Sequence, residues 1–345
     1  PGTSMTGKMK LGLIGAGLMG RNYLQAAISD PNAEYVAVCD LDQARGRALA
    51  DDFKIPAFHG DLDSLLKQGG LDAVVVATPD FAHRDAVIRS LEAGLDVLCE
   101  KPLATTVPEA LDMARATRAS GRRLMVNFGN RHRPSAQQVK ELLEARGIGD
   151  VHYAFMCLNE KKLKTATLSW SAQTSPLWFL LSHVTDFLSW LFAERIVKVY
   201  AAKGTRGSAS TTTGVLHFAN GAVAVMESSW DMPAGYQRDI DLSISLKGAT
   251  GVVDLDMGDQ GLIVSTENRT NTIQWDTPRG SSPGDWWNRS CHYFTRQLAS
   301  GAPMHPNADE GLAVVLVLSA LQKSLDTGAA VTIADEWPEA VEYLG

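Results

Sequence analysis

Lys10-Leu11-Gly12-Leu13-Ile14-Gly15-Ala16-Gly17-Leu18-Met19-Gly20 carries the reading that decides the fold. A short apolar run ends in glycines, and the residues from Leu18 to about Ser29 then take the spacing of an amphipathic helix. Gly15, Gly17 and Gly20 spell G-x-G-x-x-G at that junction. The first glycine permits a tight turn, the second lets backbone N–H groups approach a pyrophosphate, and the third lets helix and strand pack closely. Glycine-rich turns are common, so the motif alone is weak; its context strengthens it. A second strand, Tyr35-Val36-Ala37-Val38-Cys39, ends in Asp40, 20 residues after Gly20. A carboxylate that reads a ribose hydroxyl belongs there. The expectation is a dinucleotide site built from Gly15, Gly17, Leu18, Met19, Gly20 and Asp40.

The alternation continues. A helical pattern over 43–53 is followed by the run Ala73-Val74-Val75-Val76-Ala77, then a helix over 82–93. Asp96-Val97-Leu98-Cys99 precedes a helix over 108–119, and Leu124-Met125-Val126-Asn127-Phe128 is the last strand of the series. Near-continuous apolar runs, without period-2 alternation, mark strands buried on both faces, as in a parallel sheet covered by helices. From about residue 149 the pattern changes to strands over 150–158, 197–203, 211–219, 222–230, 239–247, 252–256 and 261–266, with Asn220-Gly221 as a hairpin turn. Helical patterns fall at 135–146, 176–192, 286–298 and 308–325. The fold class is therefore α/β. An N-terminal doubly wound domain spans 6–128, and a C-terminal α+β domain with a large, mostly antiparallel open sheet spans 129–345.

Composition bounds the function. Of 345 residues, 45% are apolar and 21% charged, enough apolar content for sizeable cores and too much for a disordered chain. Lys and Arg number 32 against 39 Asp and Glu, with no basic run, which argues against nucleic acid as partner. The most apolar stretch, Leu177 to Phe192, is broken by Ser182, His183, Thr185, Asp186 and Ser189, which argues against a membrane span. Cys39, Cys99, Cys157 and Cys291 lie far apart with no C-x-x-C, so neither a disulfide framework nor a metal ribbon is expected, and the reducing cytoplasm is the natural compartment. Pro1-Gly2-Thr3-Ser4 before Met5 reads as a tag remnant and not as a signal peptide.

Asp40 also bears on which dinucleotide is bound. A carboxylate accepts hydrogen bonds from a ribose 2′-OH and repels a 2′-phosphate, so NAD is expected over NADP. Arg45 is nearby and reads as a solvated helix position. At the carboxyl end of a buried strand comes Glu100-Lys101-Pro102, where ligands of doubly wound sheets bind. Upstream lie Thr78-Pro79-Asp80 and His83.

With the glycine loop, T-P-x-x-x-H, E-K-P, Arg131-x-x-Pro134 and a later His183-x-x-Asp186 in order, the chain resembles the glucose–fructose oxidoreductase / inositol dehydrogenase / MocA family over nearly its whole length. The resemblance implies a Rossmann domain, then an α+β domain whose open sheet supports oligomers. It also implies oxidation of a secondary hydroxyl on a sugar, cyclitol or related polyol. By the same resemblance Lys101 and His183 are catalytic, while Thr78, Pro79, His83, Glu100 and Lys101 lie along the cofactor. One feature departs from the family. Many members carry an aspartate four residues before this His, after a glycine-rich stretch; here Phe179 and Ser175-Pro176-Leu177-Trp178 stand instead.

Hydride transfer from a carbinol needs a base on its hydroxyl, and the best base titrates near the working pH. An imidazole does so intrinsically. A lysine beside a nicotinamide either takes the proton or stays charged and stabilises the forming alkoxide. The sequence leaves those roles undivided between His183 and Lys101. Asn127, Arg131, Trp178 and Asp186 are candidate substrate contacts, the last also a support for its helix; Trp170, Trp286 and His292 are weaker ones. One His/Asp pair at i, i+3 does not make a metal site. The expected partner is a small carbohydrate or polyol. A homodimer or homotetramer is expected through an apolar face marked by Val215, Val223, Val225 and Leu242. Two alternatives share the fold: a non-catalytic dinucleotide-binding regulator, and an NAD-dependent glycoside hydrolase.

Overall fold

The computed structural model describes residues 7–162, 173–206, 210–236, 240–257, 261–266, 269–274 and 285–345, with backbone alone for 261–266, 269–274, 285 and 286. The chain divides into two compact units: one comprises Pro1–Gly129 and Ser282–Leu312, the other Asn130–Ser281 and Ala313–Gly345.

In the first unit six parallel strands, β1 (Met9–Ile14), β2 (Ala33–Cys39), β3 (Ala57–His59), β4 (Ala73–Val76), β5 (Asp96–Cys99) and β6 (Leu124–Val126), lie in the order β3-β2-β1-β4-β5-β6. Helices α1 (Leu18–Ala27), α2 (Gln43–Asp52), α3 (Leu62–Gln68), α4 (His83–Glu92) and α5 (Val107–Ser120) connect them. Every residue of β4 and β5 is buried, as strands sandwiched between helices require. Winding reverses at β1, which pairs with β2 on one side and β4 on the other. That switch point opens the carboxyl end of the sheet to a ligand. The sequence reading missed β3 and α3; three and seven residues are too few for a hydrophobic period to register.

A single cut at residue 128 does not follow the packing. The helix Asp285–Ser300 sends Cys291, Phe294 and Leu298 into the core that holds Leu11, Leu13, Tyr23 and Leu98. Arg123 fastens its end: Nη1 donates to the carbonyls of Gln297 and Ala302, each at 2.8 Å, while Nη2 donates to Asp96 at 2.6 Å.

The second unit is built on one sheet, ordered β14-β13-β12-β11-β7-β10-β9-β8-β15. Its strands are β7 (Val151–Lys161), β8 (Ile196–Lys203), β9 (Thr212–Phe218), β10 (Val223–Met232), β11 (Ile240–Gly248), β12 (Gly251–Asp256), β13 (Gly261–Thr266), β14 (Arg269–Gln274) and β15 (Val331–Thr332). All pairs are antiparallel except β7 with β10. The Asn220-Gly221 turn is present, with Gly221 at φ +90° and the Phe218 N–H donating to the Ala222 carbonyl at 2.9 Å. Helices α6 (Pro134–Glu144), α7 (Pro176–Phe179) and α8 (Leu181–Phe192) belong here. The expected continuous helix over 176–192 is thus broken at Leu180.

Alternation sorts the sheet into two faces. Ala154, Met156, Leu216, Ala224, Met226, Ile244 and Leu246 are fully or almost fully buried on one. Tyr200, Val215, Val225 and Phe155 form a row on the other, side by side in register. Val223 shares that second face. Leu242 does not: it pairs with Leu158 and is buried. Its expected place on the open face is corrected, because a shift of one residue in a strand flips the side chain.

Candidate functional site

The first unit carries the nucleotide-binding features. Gly15 holds φ +102°, and a Cβ there would lie 2.7 Å from the Ala77 backbone, so only glycine fits. A Cβ on Gly20 would run into the Gly15 carbonyl. Gly17 differs, since an added Cβ would meet nothing within 4 Å. As N-cap of α1 it also supplies no side chain to the helix's first N–H groups. Leu18 and Met19 therefore begin a helix whose positive end suits a phosphate. The Ala16 N–H donates to Asp40 Oδ2 at 2.6 Å and the Gly15 N–H to the Cys39 carbonyl at 2.8 Å, which lock the loop onto the end of β2. This cradle fits the pyrophosphate and ribose of a dinucleotide.

Arg45 corrects one reading. It is not a purely solvated position: its Nη2 donates to Asp40 Oδ1 at 2.7 Å and its Nε to Oδ2 at 3.3 Å.

Glu100 follows β5 and is buried. Tyr23, from α1, donates its hydroxyl to Glu100 Oε1 at 2.5 Å. The Asn127 amide donates to the Tyr23 oxygen at 2.6 Å and to Glu100 at 3.3 Å, while Ser290 donates to the Asn127 Oδ1 at 2.6 Å. Burial, then the Glu100 charge, hold the Tyr23 phenol in its protonated, donating form by raising its pKa well above the usual value. The network fixes the turn that presents half-buried Lys101. Within it the Asn127 amide bonds to Tyr23, Glu100 and Ser290.

His83 is 1% exposed. Its Nδ1 faces the carbonyls of Pro102 and Leu103 at 3.0 and 3.2 Å, and its Nε2 faces the Thr78 carbonyl at 3.1 Å. The ring stitches the T-P-D turn to the E-K-P turn. Thr78 and Pro79 follow β4, half-buried. The Thr78 hydroxyl and Asp80 Oδ2 are buried and find no hydrogen-bond partner among the described residues. Desolvation raises the Asp80 pKa, against the opposing charges of His83 and Lys101. Tyr23, Ser290 and Asp80 escaped the sequence reading. Asp80 was the legible one, an acid two residues past Thr78 in the quoted motif.

The second unit carries the remaining candidates. Arg131 and Asp186, expected as separate substrate contacts, form a buried pair: Nη2 to Oδ1 at 2.6 Å and Nε to Oδ2 at 2.9 Å, with side-chain exposures of 7% and 1%. The guanidinium also lies over the Trp190 ring, 5.8 Å from its centroid. Asp186 sits one turn after His183 on α8, so the pair anchors the helix that carries the imidazole. Phe179, the departure noted in the sequence, packs its ring 5.8 Å from that of Trp230, tilted by 52°. Trp178 is half-buried on α7. Trp170 and the side chain of Trp286 lie outside the described residues. His292 faces Ser29 and the Ala26 carbonyl, each at 3.4 Å, at the far end of α1 from the glycine loop.

Residues 9–128 match the family model described as "Oxidoreductase family, NAD-binding Rossmann fold", and residues 136–254 match the GFO/IDH/MocA C-terminal domain. Inositol 2-dehydrogenase 1 of Saccharopolyspora erythraea is 29% identical over 339 residues, covering 94% of this chain and 96% of the relative. D-xylose 1-dehydrogenase (NADP(+)) 2 of Haloferax volcanii is 27% identical over 334 residues, covering 94% and 100%. Among solved structures, an oxidoreductase from Agrobacterium radiobacter in complex with NAD+, L-tartaric acid and magnesium superposes with a TM-score of 0.86 at 23% identity, covering 95% of this chain and 99% of that one.

Proposed function

The chain belongs to the GFO/IDH/MocA oxidoreductase family, and on that premise we propose that it is an NAD-dependent dehydrogenase of a secondary hydroxyl on a sugar, cyclitol or related polyol, with Lys101 and His183 as its polar catalytic pair. One observation carries the reading. A buried network of Tyr23, Asn127 and Ser290 spends its hydrogen bonds on holding Glu100 immediately before Lys101, at the carboxyl end of a sheet whose first turn fits a pyrophosphate. The named relatives act on inositol and xylose, which supports a polyhydroxylated substrate.

When bound, the nicotinamide supplies the hydride acceptor. The chain's own groups supply the rest. The N-terminus of α1 holds the phosphates, Asp40 reads the adenosine ribose, and the Glu100 turn orients the Lys101 ammonium. One of Lys101 and His183 takes the carbinol proton while the other stabilises charge on that oxygen. The Arg131–Asp186 pair keeps the helix of His183 rigid. A panel of sugars and cyclitols, followed by the appearance of reduced nicotinamide, tests the assignment. A non-catalytic regulator is the second reading, favoured by Phe179, which packs on Trp230 where a carboxylate would otherwise assist His183.

The face bearing Val215, Val223, Val225 and the 41%-exposed Tyr200 is proposed to bury itself against a second copy, giving a symmetric dimer or tetramer. Light scattering at micromolar concentration is expected to return twice or four times the chain mass; a monomer would contradict it. Four buried, free cysteines support a reducing compartment, the cytoplasm.

A further inference from the structure

Asp80 follows β4 and is 4% exposed. Its Oδ1 accepts the Phe81 N–H at 2.9 Å, while Oδ2 is buried with no hydrogen-bond partner among the described residues. An enclosed carboxylate with an unspent oxygen costs free energy, so its presence calls for a reason. The sheet register shows what lies beside it. Val76 pairs with Cys99, and the Glu100 N–H donates to the Val76 carbonyl at 2.9 Å. Carried two residues past that pair, the register sets Thr78 level with Lys101. The His83 ring holds the two turns in that place, with Nε2 on the Thr78 carbonyl and Nδ1 on the carbonyls of Pro102 and Leu103. Asp80, two residues past Thr78, therefore sits on the turn joined to that of Lys101.

The charges that act on the Asp80 carboxyl are His83, from α4, and Lys101, from the turn after β5; both favour its ionised form, against a larger opposing effect of burial. Glu100 is the other acid next to Lys101, and it is differently employed. Its Oε1 accepts from Tyr23 at 2.5 Å and from Asn127 at 3.3 Å, and its Oε2 accepts the Lys101 backbone N–H at 3.3 Å. Three donors are directed at Glu100. Asp80 Oδ2 has none among the described residues, so a nearby cation is what stabilises charge there.

We propose that Asp80 is a positioning residue for Lys101: its buried carboxylate acts through space on the Lys101 side chain and holds it in the ammonium form until the proton moves in catalysis. This role rests on the assignment of Lys101 given above. Its sign does not depend on how Lys101 and His183 divide their roles. Without the Asp80 charge, Lys101 gives up its proton at lower pH in either case.

Trace acylation of the full chain with acetic anhydride, read at the Lys101 peptide by mass spectrometry across a pH series, reports where the amine becomes neutral and needs no substrate. Asp80→Asn, nearly isosteric, is expected to move the midpoint of Lys101 labelling about one pH unit lower. The exposed Lys54 serves as the internal reference and should not move. Asp80→Ser, which also removes the charge, is expected to act in the same direction. In single-turnover hydride transfer the Lys101 limb of the pH profile should follow, and thermal melting reports the fold of each variant. An unmoved midpoint in well-folded variants would overturn the role of Asp80. Loss of the fold in both would overturn it too, by assigning the carboxylate to the structure of its own turn. Weaker NADH binding with an unmoved midpoint would make the unspent oxygen a cofactor contact instead. A moved midpoint in a protein that reduces no cofactor would overturn the dehydrogenase reading while upholding the action of Asp80 on Lys101.

Discussion

Lys101→Met and His183→Ala are each expected to lower the rate of hydride transfer by about 10²- to 10⁴-fold, the range that general acid–base groups supply, with little change in NADH affinity. Because both are assigned to one proton transfer, the double variant should fall well short of the product of the single effects. Single-turnover absorbance of the reduced cofactor reads the chemical step, and thermal melting alongside it reads the fold. Phe179 sharpens the expectation. Its ring is packed on Trp230, so the pH profile should lack a limb from a carboxylate at that position, and Phe179→Leu should be mild. The competing account makes the half-buried His183 a packing residue. On that account His183→Ala lowers the melting temperature and leaves the turnover of surviving protein intact. Normal hydride transfer in a well-folded His183→Ala protein would end the assignment.

Arg131→Met is expected to cost about 3–5 kcal/mol of stability, because it removes the guanidinium that pairs with the buried Asp186 carboxylate. At about 2–4 °C per kcal/mol for a unit of this size, the melting midpoint drops by roughly 10 °C. The second half of the cycle identifies the cause. Arg131→Met combined with Asp186→Leu should recover most of the loss, since a buried ion pair replaced by apolar side chains is often neutral. Urea unfolding of the two variants measures this. A loss below about 1 kcal/mol in Arg131→Met, or equal losses in single and double variants, would show that the pair is not what holds the helix.

The parts of this protein that sequence exposed are those where a period or a spacing is long. The glycine loop and the Asp40 position follow from patterns within 40 residues of the start, and the βαβ alternation follows from the apolar runs that continue to Phe128. The order of the nine-stranded sheet does not. Its central parallel pair joins β7 to β10, strands separated by α7, α8, β8 and β9, and periodicity carries no information about partners. Asn127 and Arg131 were recognisable as polar residues at a strand end, yet the sequence held no sign that Ser290 and Asp186 would claim them. The same limit hid Tyr23, which looked like one more apolar position on α1. Arg45 was misread for a smaller reason: an arginine five residues past an acid is within reach only if the helix starts where Asp42 caps it. Phe179 was legible as a departure, while its packing on Trp230 became visible only in the fold.

The most direct test of the central claim is the panel assay: wild-type protein, NAD, and a series of sugars, cyclitols and related polyols, with reduced nicotinamide measured over time. The account predicts net accumulation of reduced cofactor with at least one polyol bearing a secondary hydroxyl, and its loss in Lys101→Met. Protein that binds NAD yet reduces none across the panel would contradict it in favour of a regulator. Turnover of a glycoside without net reduction would contradict it in favour of a hydrolase.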